Sequence, residues 1–178
     1  MIEKPIDFLL KAQNPDGGWG AEKGNRSNTE ATSFAILALN ALRDKSLAKN
    51  IDQGLSWLID QQNSDGSFPL NVQLNEGSWT TAPAILSLTP FEAHRQRALR
   101  AADWLLLQRG RGLGWLLSLI HLLAPQKQAV RLNPDLKGWG WMPGTFSWVE
   151  PTAYALIALK KLDTASFKRE ASGTLRVQ

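Results

Sequence analysis

The sequence contains no cysteine. That removes disulfides, thiolate metal ligands and a cysteine nucleophile together. With no cysteine to report on redox compartment, a reducing cytoplasm is the default expectation. An apolar leader is also missing: Met1 is followed by charged and polar residues, so no secretory signal is expected. The longest apolar stretch, Leu113 to Ala124, is broken by Gly114, Ser118 and His121. It is too short to span a bilayer.

What is present suits one globular domain. The chain has 178 residues with 43% hydrophobic content, enough for a core of its own. Residues 1–162 read as that domain, and 163–178 as a polar tail without apolar periodicity, expected to fray. The net charge of +4 is unevenly placed. Arg95, Arg97, Arg100, Arg109, Arg111, Lys127 and Arg131 face only Glu92 and Asp103 between Phe91 and Arg131. A solvated helix face explains this, and so does contact with an anionic surface such as lipid headgroups or a diphosphate. No nucleic-acid-binding motif occurs, so nucleic acid is not an expected partner.

The dominant feature is a repeat. A shift of 49 residues carries Gln13-Asn14-Pro15-Asp16-Gly17-Gly18-Trp19 onto Gln62-Asn63-Ser64-Asp65-Gly66-Ser67-Phe68. The same shift carries Thr32 to Leu39 onto Thr81 to Leu88, and Phe8-Leu9-Leu10 onto Trp57-Leu58-Ile59. A third copy restarts at Trp104-Leu105-Leu106-Leu107-Gln108, with Gly112 and Trp115 as a loose version of the motif. Glu150 to Leu159 matches Glu30 to Leu39 at an offset of 120, so the extra residues are expected between about Leu116 and Trp148. Periods of this length mean stacked units that cannot bury their apolar faces alone. The repeats are bounded at about 5–49, 50–89 and 90–162.

Each unit pairs two kinds of helix. The first kind, over about Pro5–Ala12, Ile51–Gln62 and up to Gln108, has one apolar stripe and one wet face. Thr89-Pro90-Phe91-Glu92 predicts a capping box opening the last of these. The second kind, over Asn28–Leu42, Thr80–Leu88 and Pro151–Leu162, is apolar on most sides and predicts burial. Six helices alternating in this way form two layers, dry inside and wet outside. The predicted fold class is all-α: half of an α/α toroid, whose open edge needs a cover.

The Gln-x-x-x-Gly-x-Trp unit followed by a Thr- and Ala-rich apolar helix resembles the repeat of the squalene–hopene cyclase and protein prenyltransferase β-subunit superfamily. The resemblance covers residues 8 to 162 and implies an α/α barrel stapled by Gln13, Gly17, Trp19, Gln62 and Gly66. Cyclases of that superfamily protonate an alkene or epoxide with the middle Asp of an Asp-x-Asp-Asp-Thr-Ala sequence. Aligned on the Thr, Glu30 and Glu150 occupy the acid's place here, Trp79 stands there in the second repeat, and the flanking Asp residues are missing. Prenyltransferases bind zinc through Asp, Cys and His. With no Cys and only His94 and His121, that site is not carried, and no cofactor or metal is implied.

Two roles remain open for the carboxylates. Ser27-x-x-Glu30 and Ser147-x-x-Glu150 fit capping boxes, or Pro151 makes Glu150 itself the cap. A helix N-terminus would then hold both carboxyls ionised. Burial in an apolar cavity would do the reverse and make Glu30 or Glu150 a catalytic acid. Trp79, Trp139, Trp141, Trp148 and Tyr154 are the candidate ligand-lining residues, because aromatic faces stabilise cations. Ordinary packing is their alternative role. The implied function is binding of an apolar isoprenoid or lipid ligand. The rivals are a class II cyclase-like enzyme active as an assembled dimer, and a non-catalytic interaction module or truncated relic. The expected partners are the apolar ligand, a second copy of the chain and, peripherally, a membrane surface met by Leu116 to Leu123.

Overall fold

The computed structural model describes residues 3–108 and 137–174, with side chains described as far as residue 163. The described residues form six α-helices: α1 (Glu3–Ala12), α2 (Thr29–Ala41), α3 (Ala48–Asp60), α4 (Thr81–Leu88), α5 (Arg95–Leu107) and α6 (Val149–Thr174). Short 3-10 turns at Lys45–Leu47 and Glu92–His94 lead into α3 and α5. The one β-like feature among the described residues is an isolated bridge between Pro69 and Gly77. The fold is an all-α toroid segment built from helix pairs.

Three local expectations are corrected. Thr89 caps the end of α4, its hydroxyl donating to the Ile85 carbonyl at 2.7 Å. It therefore does not open a capping box with Glu92, and α5 begins only at Arg95. Asn28, not Ser27, is the N-cap of α2: its extended backbone lets Oδ1 accept the Ala31 N–H at 2.8 Å. The last helix runs on to Thr174, through much of the segment expected to be a fraying polar tail.

Helix α4 is the centre of the array. It packs against α2 on one side and α6 on the other, with α5 behind it, and α3 backs α2. All eight residues of α4 are buried. Ala35, Ala84 and Ala155, one register position in three repeats, are buried alike. These small side chains let the inner helices approach closely. Ile36, Leu39, Leu58, Ile85, Leu88 and Leu105 are fully buried between the layers. Each such side chain contributes about 1.5–3 kcal/mol relative to exposure. Only α4 is dry all round, however. Ala38 of α2 and Leu156 and Ile157 of α6 are exposed, and among the described residues those helices have an inner neighbour on one side only.

Candidate functional site

The Gln/Trp motif is a staple with a repeated wiring. Gln13 directly follows α1 and opens the turn, and its Nε2 donates to the Gly17 carbonyl at 2.8 Å and to the Asn50 carbonyl of α3 at 2.9 Å. Gln62 does the same one repeat on, donating to Gly66 and to Arg97 of α5, both at 2.9 Å. Each Gln therefore ties one outer helix to the next. Gly17 and Gly66 sit at φ +92° and +94°. A Cβ at either would lie within 2.7 Å of the next outer helix's carbonyl oxygen, Gln53 or Arg100. Both the left-handed backbone and the close approach demand glycine. The Arg97 guanidinium donates to Gln62 Oε1 at 3.3 Å, and that of Arg100 to the Ser64 carbonyl at 2.9 Å. Two residues of the basic segment thus brace this turn. Arg109, Arg111, Lys127 and Arg131 lie outside the described residues, as do Leu116 to Leu123.

The motif aromatic is locked to the inner helix by a threonine hydroxyl. Thr32 accepts the Trp19 N–H at 2.9 Å and donates back to the Trp19 carbonyl at 3.3 Å. Thr81 repeats this with Phe68 at 3.0 and 3.3 Å, and Thr152 with Trp139 at 2.9 and 3.3 Å. The indole of Trp19 donates to the Leu9 carbonyl at 2.8 Å, and that of Trp139 to the Leu105 carbonyl at 2.7 Å. Trp139 is therefore the motif tryptophan of the third repeat, the place read as Trp115. Gly112 and Trp115 lie outside the described residues. The sequence signal for Trp139 was its distance of 13 residues from Thr152, equal to Trp19–Thr32 and Phe68–Thr81.

The middle repeat also exchanges two residues. In the first, Ser27 reaches across to Asp16 Oδ1 at 2.8 Å over Gly18. In the second, Ser67 stands at the Gly18 position and bonds Asp65 Oδ1 at 2.6 Å, with Gly77 opposite it. One hydroxyl serves each turn, from whichever strand of chain supplies it.

On the inner face, the same register position in three repeats is Phe34, Pro83 and Tyr154. The Phe34 and Tyr154 rings meet at a centroid distance of 5.5 Å, so α2 and α6 converge across α4 and the face is concave. Trp79 stacks obliquely on Tyr154 at 5.8 Å and meets Trp141 edge-on at 5.0 Å. Its N–H donates to the Trp141 carbonyl at 3.0 Å. Three of the candidate aromatics, Trp79, Trp141 and Tyr154, thus form one cluster with Phe34, which is not among the candidates named from the sequence. Phe34 was findable as the counterpart of Tyr154 at an offset of 120. Trp139 is in the staple instead, and Trp148 stands half-exposed at the start of α6, its N–H on the Trp139 carbonyl at 2.9 Å.

Glu30 and Glu150 lie in the first turns of α2 and α6, close enough to feel each other. Neither forms the expected capping box. Asn28 takes the cap of α2, and the Ser147 hydroxyl accepts the Gly138 N–H at 2.9 Å. Glu150 lies inside α6, past the cap position. Burial holds the Glu30 carboxyl above its ordinary value, and the negative charge of Glu150 pushes it the same way. The direction is opposite to that expected of a capping carboxylate, and loss of hydration is its larger cause.

Three helix pairs, each with a motif aromatic locked to the threonine of its inner helix, and a concave inner face define an α/α-toroid repeat protein. Residues 2–89 match the Prenyltransferase alpha-alpha toroid domain. The chain is 30% identical over 158 residues to a drimenyl diphosphate synthase of Streptomyces showdoensis, covering 86% of this chain and 25% of that protein. A drimenyl diphosphate synthase of Streptantibioticus cattleyicolor is 28% identical over 188 residues, covering 87% and 35%. Squalene–hopene cyclase of Bradyrhizobium diazoefficiens is 24% identical over 180 residues, covering 89% and 25%. The chain belongs to the squalene–hopene cyclase and prenyltransferase superfamily of α/α toroids. It spans a quarter to about a third of the length of these relatives. No helix among the described residues is long and apolar enough to cross a membrane.

Proposed function

We propose that the concave face binds the hydrocarbon chain of an isoprenoid, with Phe34, Trp79, Trp141 and Tyr154 as its aromatic wall. The observation that supports this is the continuous ring contact from α2 across α4 to α6, beside two carboxylates. Four rings on a concave surface offer an apolar chain large contact area and offer a cation several π-faces. The relatives named above are enzymes of terpenoid diphosphates and squalene, which gives the ligand class.

A second reading is carried by Glu30. A carboxyl that burial and a neighbouring carboxylate keep above its ordinary value is a better proton donor than a capping glutamate. In a chamber closed by further helices, Glu30 would protonate the isoprenoid and the aromatic wall would stabilise the cation. A non-catalytic module that only docks a protein on this face is the remaining reading.

Titration of the chain with farnesol and with farnesyl diphosphate, followed by tryptophan fluorescence, tests the binding role. Saturable quenching at micromolar ligand that is lost in Trp79→Ala supports it. No saturable change with either probe rejects it. Conversion of the diphosphate to a cyclised product, abolished in Glu30→Gln, would establish the enzyme reading.

A further inference from the structure

Offsets of 49 and 120 residues lay the inner face out as three levels across α2, α4 and α6. Glu30, Trp79 and Glu150 form the first level, at the N-terminal ends of the three helices. Phe34, Pro83 and Tyr154 form the second, and Ala38, Ser87 and Ala158 the third. Residues four apart on a helix share a side, so one level lies about 6 Å from the next. Because α4 packs between α2 and α6, each level runs from one flank of the groove across its floor to the other.

The second level is closed from flank to flank. Phe34 and Tyr154 meet over α4 at 5.5 Å between centroids, a contact distance for two rings. No hydrocarbon chain passes between rings that touch. Pro83, the floor residue between them, is less than 2% exposed. It is short enough to leave both rings room to meet, and it sits in the first turn of α4, where its missing N–H forfeits no helical bond. On the first level, the Trp79 ring leans on Tyr154 at 5.8 Å and meets Trp141 edge-on at 5.0 Å. On the third, the side chains are Ala, Ser and Ala, too short to reach across. The ring pair therefore parts a level of carboxylates and indoles from a level of small residues.

Resting on the isoprenoid reading of this face, we infer that Phe34 and Tyr154 are the stop that sets the length of chain it accepts. A chain lying along the groove from the Trp79–Trp141 end terminates against the two rings. One helical turn is about 5.4 Å, and an isoprene unit runs four carbon–carbon bonds of about 1.5 Å each in zigzag. Opening the second level therefore adds room for about one more isoprene unit, toward Ala38. Phe34 and Tyr154 act together in this, because either ring alone covers only its own flank.

Titration of the full chain with geraniol, farnesol and geranylgeraniol, followed by tryptophan fluorescence, tests the stop. Wild-type affinity should climb with chain length and level off before geranylgeraniol. Phe34→Ala should carry the climb one unit further. The affinity ratio between that longer alcohol and the one below it should rise at least about tenfold, the low end of what a buried apolar group adds in a hydrophobic pocket. Tyr154 has space to lean into the gap that Phe34→Ala opens, so the Phe34→Ala/Tyr154→Ala double variant is titrated as well. Both rings are only partly buried, so both variants should keep their helical circular dichroism. Rings that serve only as wall would, when truncated, weaken every length alike. That result in both variants overturns the stop, and so does a wild-type affinity that climbs evenly through all three alcohols, whatever the variants' stability. Saturable wild-type binding without a length step overturns the stop alone, whereas no saturable binding of any of the three overturns the isoprenoid reading with it.

Discussion

Gly54 of α3 leaves the space that the Trp19 indole fills: a Cβ on residue 54 would lie 2.7 Å from Cζ3 of that ring. The same Cβ would lie 3.1 Å from Cγ1 of Ile36 on α2, so the glycine sits where outer helix, motif and inner helix meet. The counterpart of Gly54 in α5 is Ala101, and there the motif ring is the smaller Phe68. Ring size and helix residue change together between repeats.

Gly54→Ala should therefore destabilise the protein by about 1–3 kcal/mol, the range for overpacking a full core. This overrides the gain expected from replacing a helical glycine by alanine, about 1 kcal/mol. Trp19→Phe in the same chain should recover most of the loss, since it recreates the Phe68–Ala101 pairing. Urea unfolding of the two single variants and the double variant checks this through the coupling term. Simple additivity would show that the ring and residue 54 are energetically independent.

The Glu30 carboxyl gives a pH dependence with a definite sign. Its folded-state value is raised, by burial first and by Glu150 second. The folded state therefore binds the proton more tightly than the unfolded state, and ionisation weakens the fold. The penalty is fully present above the raised value and vanishes as pH falls below the ordinary value of 4.5. Glu30→Gln should stabilise the chain at pH 7, with the gain shrinking to nothing below that ordinary value. Glu150→Gln should move the Glu30 titration downward without restoring it, because burial is the larger cause. Carboxyl-carbon NMR titration of Glu30 in both backgrounds reads this directly. A Glu30 that titrates at or below its ordinary value would rule out both the raised value and an acid role.

Trp139 and Trp79 should separate stability from binding. Trp139→Ala removes a buried ring and leaves the Leu105 carbonyl without its indole donor. A loss of about 3–5 kcal/mol is expected, as for other buried aromatic truncations. Trp79 is only partly buried and stacks on Tyr154 and Trp141, so Trp79→Ala should affect isoprenoid binding more than unfolding. Chemical unfolding and ligand titration of both variants provide the test. Equal effects on both quantities would merge the two roles.

The repeat itself is a property of the sequence. One offset of 49 residues aligns the motif, the outer-helix apolar residues and the Thr that opens each inner helix. Those spacings are local, and local spacing is enough to fix helices and the stapling turn between them. The α/α pairing and the buried Ala35, Ala84 and Ala155 were legible for that reason, and the stapling role of Gln13 came from the family resemblance that those spacings carry. The stretched third repeat was legible only in part. Its motif residue had to be found by distance from Thr152, since the Gln and Gly that mark it elsewhere are not in place before Trp139.

Tertiary structure decided what depends on neighbours from other repeats. Whether Glu30 is a cap or a raised acid turns on burial and on a charge 120 residues away. Which tryptophans join the staple and which the aromatic cluster turns on contacts between repeats, as between Trp79 and Trp141 and between Trp139 and Leu105. Helical periodicity says how apolar each side of a helix is, but not which side has a partner. Leu156 and Ile157 carry the same pattern as Ile36 and Leu37, yet they are exposed where Ile36 is fully buried. The difference lies in the neighbours: α4 has a described inner helix on both sides, and α6 has one on one side only.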